Sequence, residues 1–140
     1  MFAAFDISLS GMEAQRVRLN AISSNIANVS TTRDEQGNPR PYQPRFVVFE
    51  TRPVPAAPEG AAGVTVAAVR TAEVEPLWRY EPNHPDAVKE GPRQGYVAYP
   101  NIDLTVEFVD ALEATRAYEA NVGVMEISRD LAQQTLRILV

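Results

Sequence analysis

The sequence has no cysteine, one histidine and one lysine. The first absence excludes disulfides, thiolate metal sites and cysteine nucleophiles, and leaves the redox compartment open. A single histidine excludes a histidine-rich zinc site. No run approaches the roughly 18 apolar residues a membrane-spanning helix needs. Asp6, Glu13, Arg16 and Arg18 break up the N-terminus where a secretory signal would be continuously apolar. Cationic residues are few, with 13 Lys plus Arg against 18 Asp plus Glu and a net charge of −5. Such a balance argues against a nucleic-acid partner, because binding phosphates requires cations to displace counterions. Neither G-x-G-x-x-G nor G-x-x-x-x-G-K-[ST] occurs, and there is no G-x-S-x-G nucleophile turn.

What is present fits one domain: 140 residues, 45% of them hydrophobic, enough for a core. All 11 prolines lie between Pro39 and Pro100, and five of the seven glycines lie between Gly37 and Gly95. Proline removes a backbone donor and clashes with the preceding helical turn, so the flanks are free to be helical and the middle is not. The expected fold class is mainly α: long N- and C-terminal helices pair as a coiled coil and enclose a small β-rich or irregular middle. The divisions are residues 1–30, 31–100 and 101–140.

On the C-terminal flank, Leu104, Phe108, Ala111, Thr115, Tyr118, Val122, Met125, Arg129, Ala132, Leu136 and Leu139 recur alternately by four and three. Apart from Thr115 and Arg129 this is an apolar seam of period 3.5, the coiled-coil repeat. A second row, Val106, Val109, Leu112, Val124, Ile127, Leu131 and Ile138, runs beside it and implies more than one packing neighbour. Asp103 is the expected N-cap, with Glu107 and Asp110 at the positive end of the helix dipole and Arg137 at the negative end. A helix from Asp103 to Leu139 would be about 55 Å long, too long for a compact domain of this size, so it projects or belongs to something larger.

The N-terminal flank carries a shorter stripe, Phe5, Leu9, Met12, Leu19, Ile22 and Ile26. Ser10 and Glu13 could form a capping box, although a start before Phe5 uses the stripe better. Asn28 is a C-cap candidate, and Gln36-Gly37-Asn38-Pro39 a turn-rich loop. In the middle, Phe46–Glu50, Val64–Val69, Leu77–Tyr80 and Tyr96–Tyr99 are candidate strands of a small sheet, and residues 53–58 an extended polyproline-like stretch. Trp78, Tyr80, Tyr96 and Tyr99 are expected in that sheet's core rather than as a binding platform.

Catalytic readings are poorly supported. His84 lies in the proline-flanked loop Glu81-Pro82-Asn83-His84-Pro85-Asp86 and reads as a solvated loop residue. Asp103, Glu107 and Asp110 share a helix face, but capping and the dipole already explain them. Arg16 and Arg18 read as solvated or as interchain ion-pair partners. No catalytic residue, cofactor or metal is expected.

Leu19-Asn20-Ala21-Ile22-Ser23-Ser24-Asn25-Ile26-Ala27-Asn28-Val29-Ser30-Thr31-Thr32 resembles the N-terminal signature shared by flagellar rod and hook proteins. Ala114-Thr115-Arg116-Ala117-Tyr118-Glu119-Ala120-Asn121, with the amphipathic run to Leu139, resembles their C-terminal signature. Asn25, Ala27, Asn28, Arg116, Tyr118, Glu119 and Asn121 carry the motif positions. The length, the segment around His84 and the stretch Gly95–Asp103 are most similar to family members of the proximal rod. The resemblance implies a structural subunit of the bacterial flagellar basal body, its two termini forming a coiled-coil inner layer in a rod that crosses the periplasm. It further implies export through the flagellar type III apparatus without signal cleavage. The implied partners are copies of the chain, other rod proteins and an adaptor next to the export gate. The expected assembly interface is Phe5, Leu9, Met12, Leu19, Ile22, Ile26, Leu104, Phe108, Tyr118, Val122, Met125, Leu136 and Leu139. A soluble coiled-coil adaptor or chaperone is the alternative.

Overall fold

The computed structural model describes residues 2–54 and 61–138. Leu139 and positions 55–58 of the expected polyproline-like stretch lie outside the described residues. The chain forms α1 (Phe2–Ala27), β1 (Arg45–Pro53), β2 (Ala62–Thr71), β3 (Leu77–Tyr80), β4 (Tyr96–Tyr99) and α2 (Leu104–Ile138).

The C-terminus of α1 and the N-terminus of α2 are set by local chemistry. Asp103 caps α2, its carboxylate accepting the backbone N–H of Thr105 at 2.9 Å and of Val106 at 3.5 Å. Asn28 follows the last residue of α1: its side-chain amide donates to the Ser24 carbonyl at 2.9 Å, and its amide oxygen accepts the Thr31 hydroxyl at 3.0 Å. The capping box at Ser10 and Glu13 is not formed, because α1 already runs from Phe2. Ser10 is instead buried within the helix. Its hydroxyl donates to the Ile7 carbonyl and accepts the N–H of Val64 at 3.0 Å, which seats β2 on α1.

All four expected strands form, but as two separate antiparallel ribbons rather than one sheet. β1 pairs with β2 from Arg45↔Thr71 to Pro53↔Ala62, with a register shift at Val48/Phe49. β3 pairs with β4 from Leu77↔Tyr99 to Tyr80↔Tyr96. A two-stranded ribbon has little interior of its own, so the aromatic residues do not make a sheet core. Val97 is buried at 1% exposure, whereas Tyr80 and Tyr96 stack edge to face at 5.2 Å on the outside. Trp78 lies under the Arg93 guanidinium, 4.3 Å from the ring centroid.

α1 and α2 lie antiparallel, with paired positions about seven residues apart: Gly11 against Asn121, Arg18 against Asp110 and Glu113, Asn25 against Glu107. Small residues allow the close approach. Ala14, Ala21 and Ala114 are buried, and a Cβ on Gly11 would come within 2.9 Å of the Asn121 amide. The seam that meets α1 is therefore rotated from the expected one. Ala111, Val122, Met125 and Ala132 are at least half-buried, but Leu104, Phe108, Thr115, Tyr118, Arg129 and Leu136 are exposed, and Ala114 is the fully buried residue of α2.

Candidate assembly interface

Asn25 joins three elements. Its side-chain amide donates to the Arg45 carbonyl at 2.9 Å while its oxygen accepts the Arg45 N–H at 2.8 Å, a reciprocal pair that imitates a strand neighbour at the start of β1. The same NH2 donates to Glu107 on α2 at 3.1 Å, and the Tyr42 hydroxyl donates to the Asn25 oxygen at 3.2 Å. Glu107 has its pKa raised above its ordinary value, chiefly by burial, with the Asn25 bond opposing and the charge of Asp110 adding to the rise. Beside it, Arg18 reaches Glu113 at 3.1 Å and Asp110 at 3.6 Å. Arg18 is thus paired within the chain and not held for another one, while Arg16 is exposed. Asp103, Glu107 and Asp110 each have their own partner, and although Glu107 and Asp110 are close enough for one charge to act on the other, the three form no metal-holding group.

The His84 loop is a second fastening. Asp86 is buried, and its carboxylate accepts the Thr32 hydroxyl at 2.8 Å and the Arg33 Nε–H at 2.6 Å. Burial alone would raise the Asp86 pKa; the two hydrogen bonds and the guanidinium charge outweigh it and hold it below the ordinary value. His84 Nδ1 accepts the Asp86 backbone N–H at 3.1 Å. The imidazole therefore shapes a turn, and the carboxylate is already engaged by the loop that follows α1. Sequence reasoning overlooked this clasp. Its signal was an Asp after Pro85 and a Thr-Arg pair just past the α1 cap.

The expected interface residues fall into two environments. Phe5, Met12, Val122 and Met125 converge, with Glu126 and Arg129, on one open groove of about 340 Å³ between the helices. Ile22 is buried, and Leu19 and Ile26 are half-buried. Leu9, Leu104, Phe108, Tyr118 and Leu136 face outward instead. Of the motif residues, Asn25 is buried, Asn28 and Asn121 are half-buried, and Ala27, Arg116, Tyr118 and Glu119 are exposed. Along α2, Val106, Val109, Leu112, Val124, Ile127, Leu131 and Ile138 are between 47 and 84% exposed. Single exposed apolar residues are ordinary, but two groups of them along one helix, Val106–Leu112 and Val124–Ile138 with Arg116 and Glu119 between, mark an interaction surface. Among the described residues no helix is long and apolar enough to cross a membrane, and no cluster of three or more His, Asp or Glu could hold a metal ion.

Residues 5–33 match the family model of the flagella basal body rod protein, and residues 93–138 match that of the flagellar basal body rod FlgEFG protein C-terminal. The two matches fall on α1 with its following loop and on β4 with α2. Over nearly its whole length the chain is similar to flagellar basal-body rod protein FlgC of Borreliella burgdorferi, at 37% identity over 99% of this chain and 97% of the relative. The chain belongs to the FlgC family of flagellar basal-body rod proteins. FlgC proteins of Escherichia coli, 37% identical over 96% of this chain and 94% of the relative, and of Bacillus subtilis, 33% identical over 98 and 97%, agree. This FlgC-family chain is a structural subunit of the flagellar basal-body rod, not an enzyme, and serves motility in assembly with other rod components.

Proposed function

We propose that this chain is a subunit of the proximal rod, in which its two terminal helices act as a coiled coil and the outer row of α2 packs against neighbouring subunits. Those neighbours are copies of itself and other rod proteins, stacked through heterologous contacts into a helical, torque-bearing shaft. The observation that carries this reading is the exposed row from Val106 to Ile138, which nothing within the described chain covers. A self-contained adaptor would bury such a row in its own fold or in a small oligomer. In this reading residues 1–30 and 101–140 are the rod-forming parts and 31–100 the outer part. Phe5, Met12, Val122 and Met125 receive a neighbour in their groove, while Leu9, Leu104, Phe108, Tyr118, Leu136 and Leu139 extend the contact. The family relationship also supports a rod that crosses the periplasm, subunits exported through the flagellar type III apparatus, and an adaptor beside the export gate at the rod's base.

Val122→Asp and Met125→Asp test the interface. An unpaired carboxylate in a seam that closes on assembly costs several kcal/mol, which is enough to stop incorporation. Either variant should remain helical by circular dichroism, yet be missing from isolated basal bodies and leave cells non-motile. Normal incorporation of both helical variants would overturn the placement.

A further inference from the structure

The chain has three methionines: Met1, Met12 on α1 and Met125 on α2. The fold brings the latter two, far apart in sequence, into the same groove, which Phe5 and Val122 line with them and Glu126 and Arg129 border. Both methionines are only half-buried, so the groove leaves them open to small solutes. A thioether in a closed core is shielded, whereas one lining an open groove meets dissolved oxidants. Methionine also suits such a place for packing, since its flexible, polarizable side chain adapts to whatever fills the gap.

We propose that Met12 and Met125 form a peroxide-sensitive modification site on the free subunit, which assembly closes. The thioether sulphur attacks one oxygen of hydrogen peroxide, an S–O bond forms as the O–O bond breaks, and the proton on the newly sulphur-bound oxygen passes, directly or through water, to the departing hydroxide, leaving the sulfoxide and one water. Sulphur loses two electrons and the peroxide gains them. The resulting sulfoxide carries a polar oxygen into a groove that, on the reading above, a neighbour's apolar side chain must fill. Oxidised subunits are consequently poor building material, and subunits already in the rod are protected. The closure half of the proposal rests on the proposed assembly reading; the modification half does not.

The test exposes the purified full-length chain and isolated basal bodies to the same hydrogen peroxide concentration and follows each methionine by peptide mass spectrometry. In the free chain both Met12 and Met125 should gain one oxygen at rates within about tenfold of an unstructured methionine peptide. In basal bodies both rates should fall by at least about tenfold. Slow oxidation in the free chain would overturn the modification site and leave the assembly reading untouched. Equally fast oxidation in both samples would overturn closure of the groove, and with it the assembly reading there. A Met12→Gln, Met125→Gln double variant places a polar oxygen at both positions without any oxidant. Its content in basal bodies should fall at least about tenfold, and normal incorporation would overturn the exclusion of oxidised subunits.

Discussion

The amide of Asn25 does for the first residue of β1 what a neighbouring strand would do, and it also holds Glu107 of α2. Asn25→Ala leaves the Arg45 N–H and C=O without that partner and frees the Glu107 carboxylate. It should cost about 2.5–6 kcal/mol in urea unfolding, from two strand-like bonds and one to a charged group. The two carboxyls at the fastenings respond oppositely to pH. Asp86 has its pKa held below the ordinary 3.8, so its contribution to stability is present above that value and is lost as pH falls through the lower folded one. Asp86→Asn should therefore weaken the fold at neutral pH and flatten the acid limb of its stability curve. Glu107 has its pKa raised above 4.5, so its favourable contribution exists below that value and is lost as pH rises through the folded one. At neutral pH the ionised group is a cost. Glu107→Gln keeps an oxygen for Asn25 and removes the charge, and should stabilise the chain at pH 7 by less than about 1 kcal/mol, because solvent screens the partly exposed group. That gain should vanish on titration to acid, as thermal unfolding at a series of pH values would show.

Each element was legible in proportion to how local its cause is. The α1 and α2 ends follow from Asn28 and Asp103, whose side chains act within one turn, and the four strands follow from short β-branched and aromatic runs. The pairing of those strands was less accessible, because the split into two ribbons depends on where α1 and the loops support them. β3–β4 turns on Gly95, which holds φ +81° and would bring a Cβ to 2.7 Å from the Tyr80 ring. Gly95→Ala meets both a left-handed backbone penalty and a displaced aromatic, together about 2–4 kcal/mol. The expected readout is a lower urea midpoint with loss of the near-ultraviolet signal from the stacked Tyr80 and Tyr96. The clasp at Asp86 was hard to read for a related reason: its donors, Thr32 and Arg33, lie more than fifty positions away, so the two parts of its signal are not linked by any local spacing.

On the scale of the whole molecule, α2 is longer than the helix that packs on it. Residues 133–138 are exposed all round, past the point where α1 begins opposite. Their amides should exchange with solvent within seconds in the free chain, while those around Ala114 are protected, and the contrast should disappear in basal bodies. Mass-resolved hydrogen exchange on both samples would check this. By itself the sequence determined the order of elements and the long terminal helices with the caps at their inner ends, because proline placement, capping residues and helical periodicity act locally; the family was legible through the resemblance of the segments around Asn25–Asn28 and Arg116–Asn121. It also determined that α2 carries two apolar rows. Only the tertiary structure decided which face of α2 meets α1. Periodicity registers the largest apolar side chains, whereas two closely packed helices select the smallest, Gly11, Ala14, Ala21 and Ala114, and leave the bulky row on the outside.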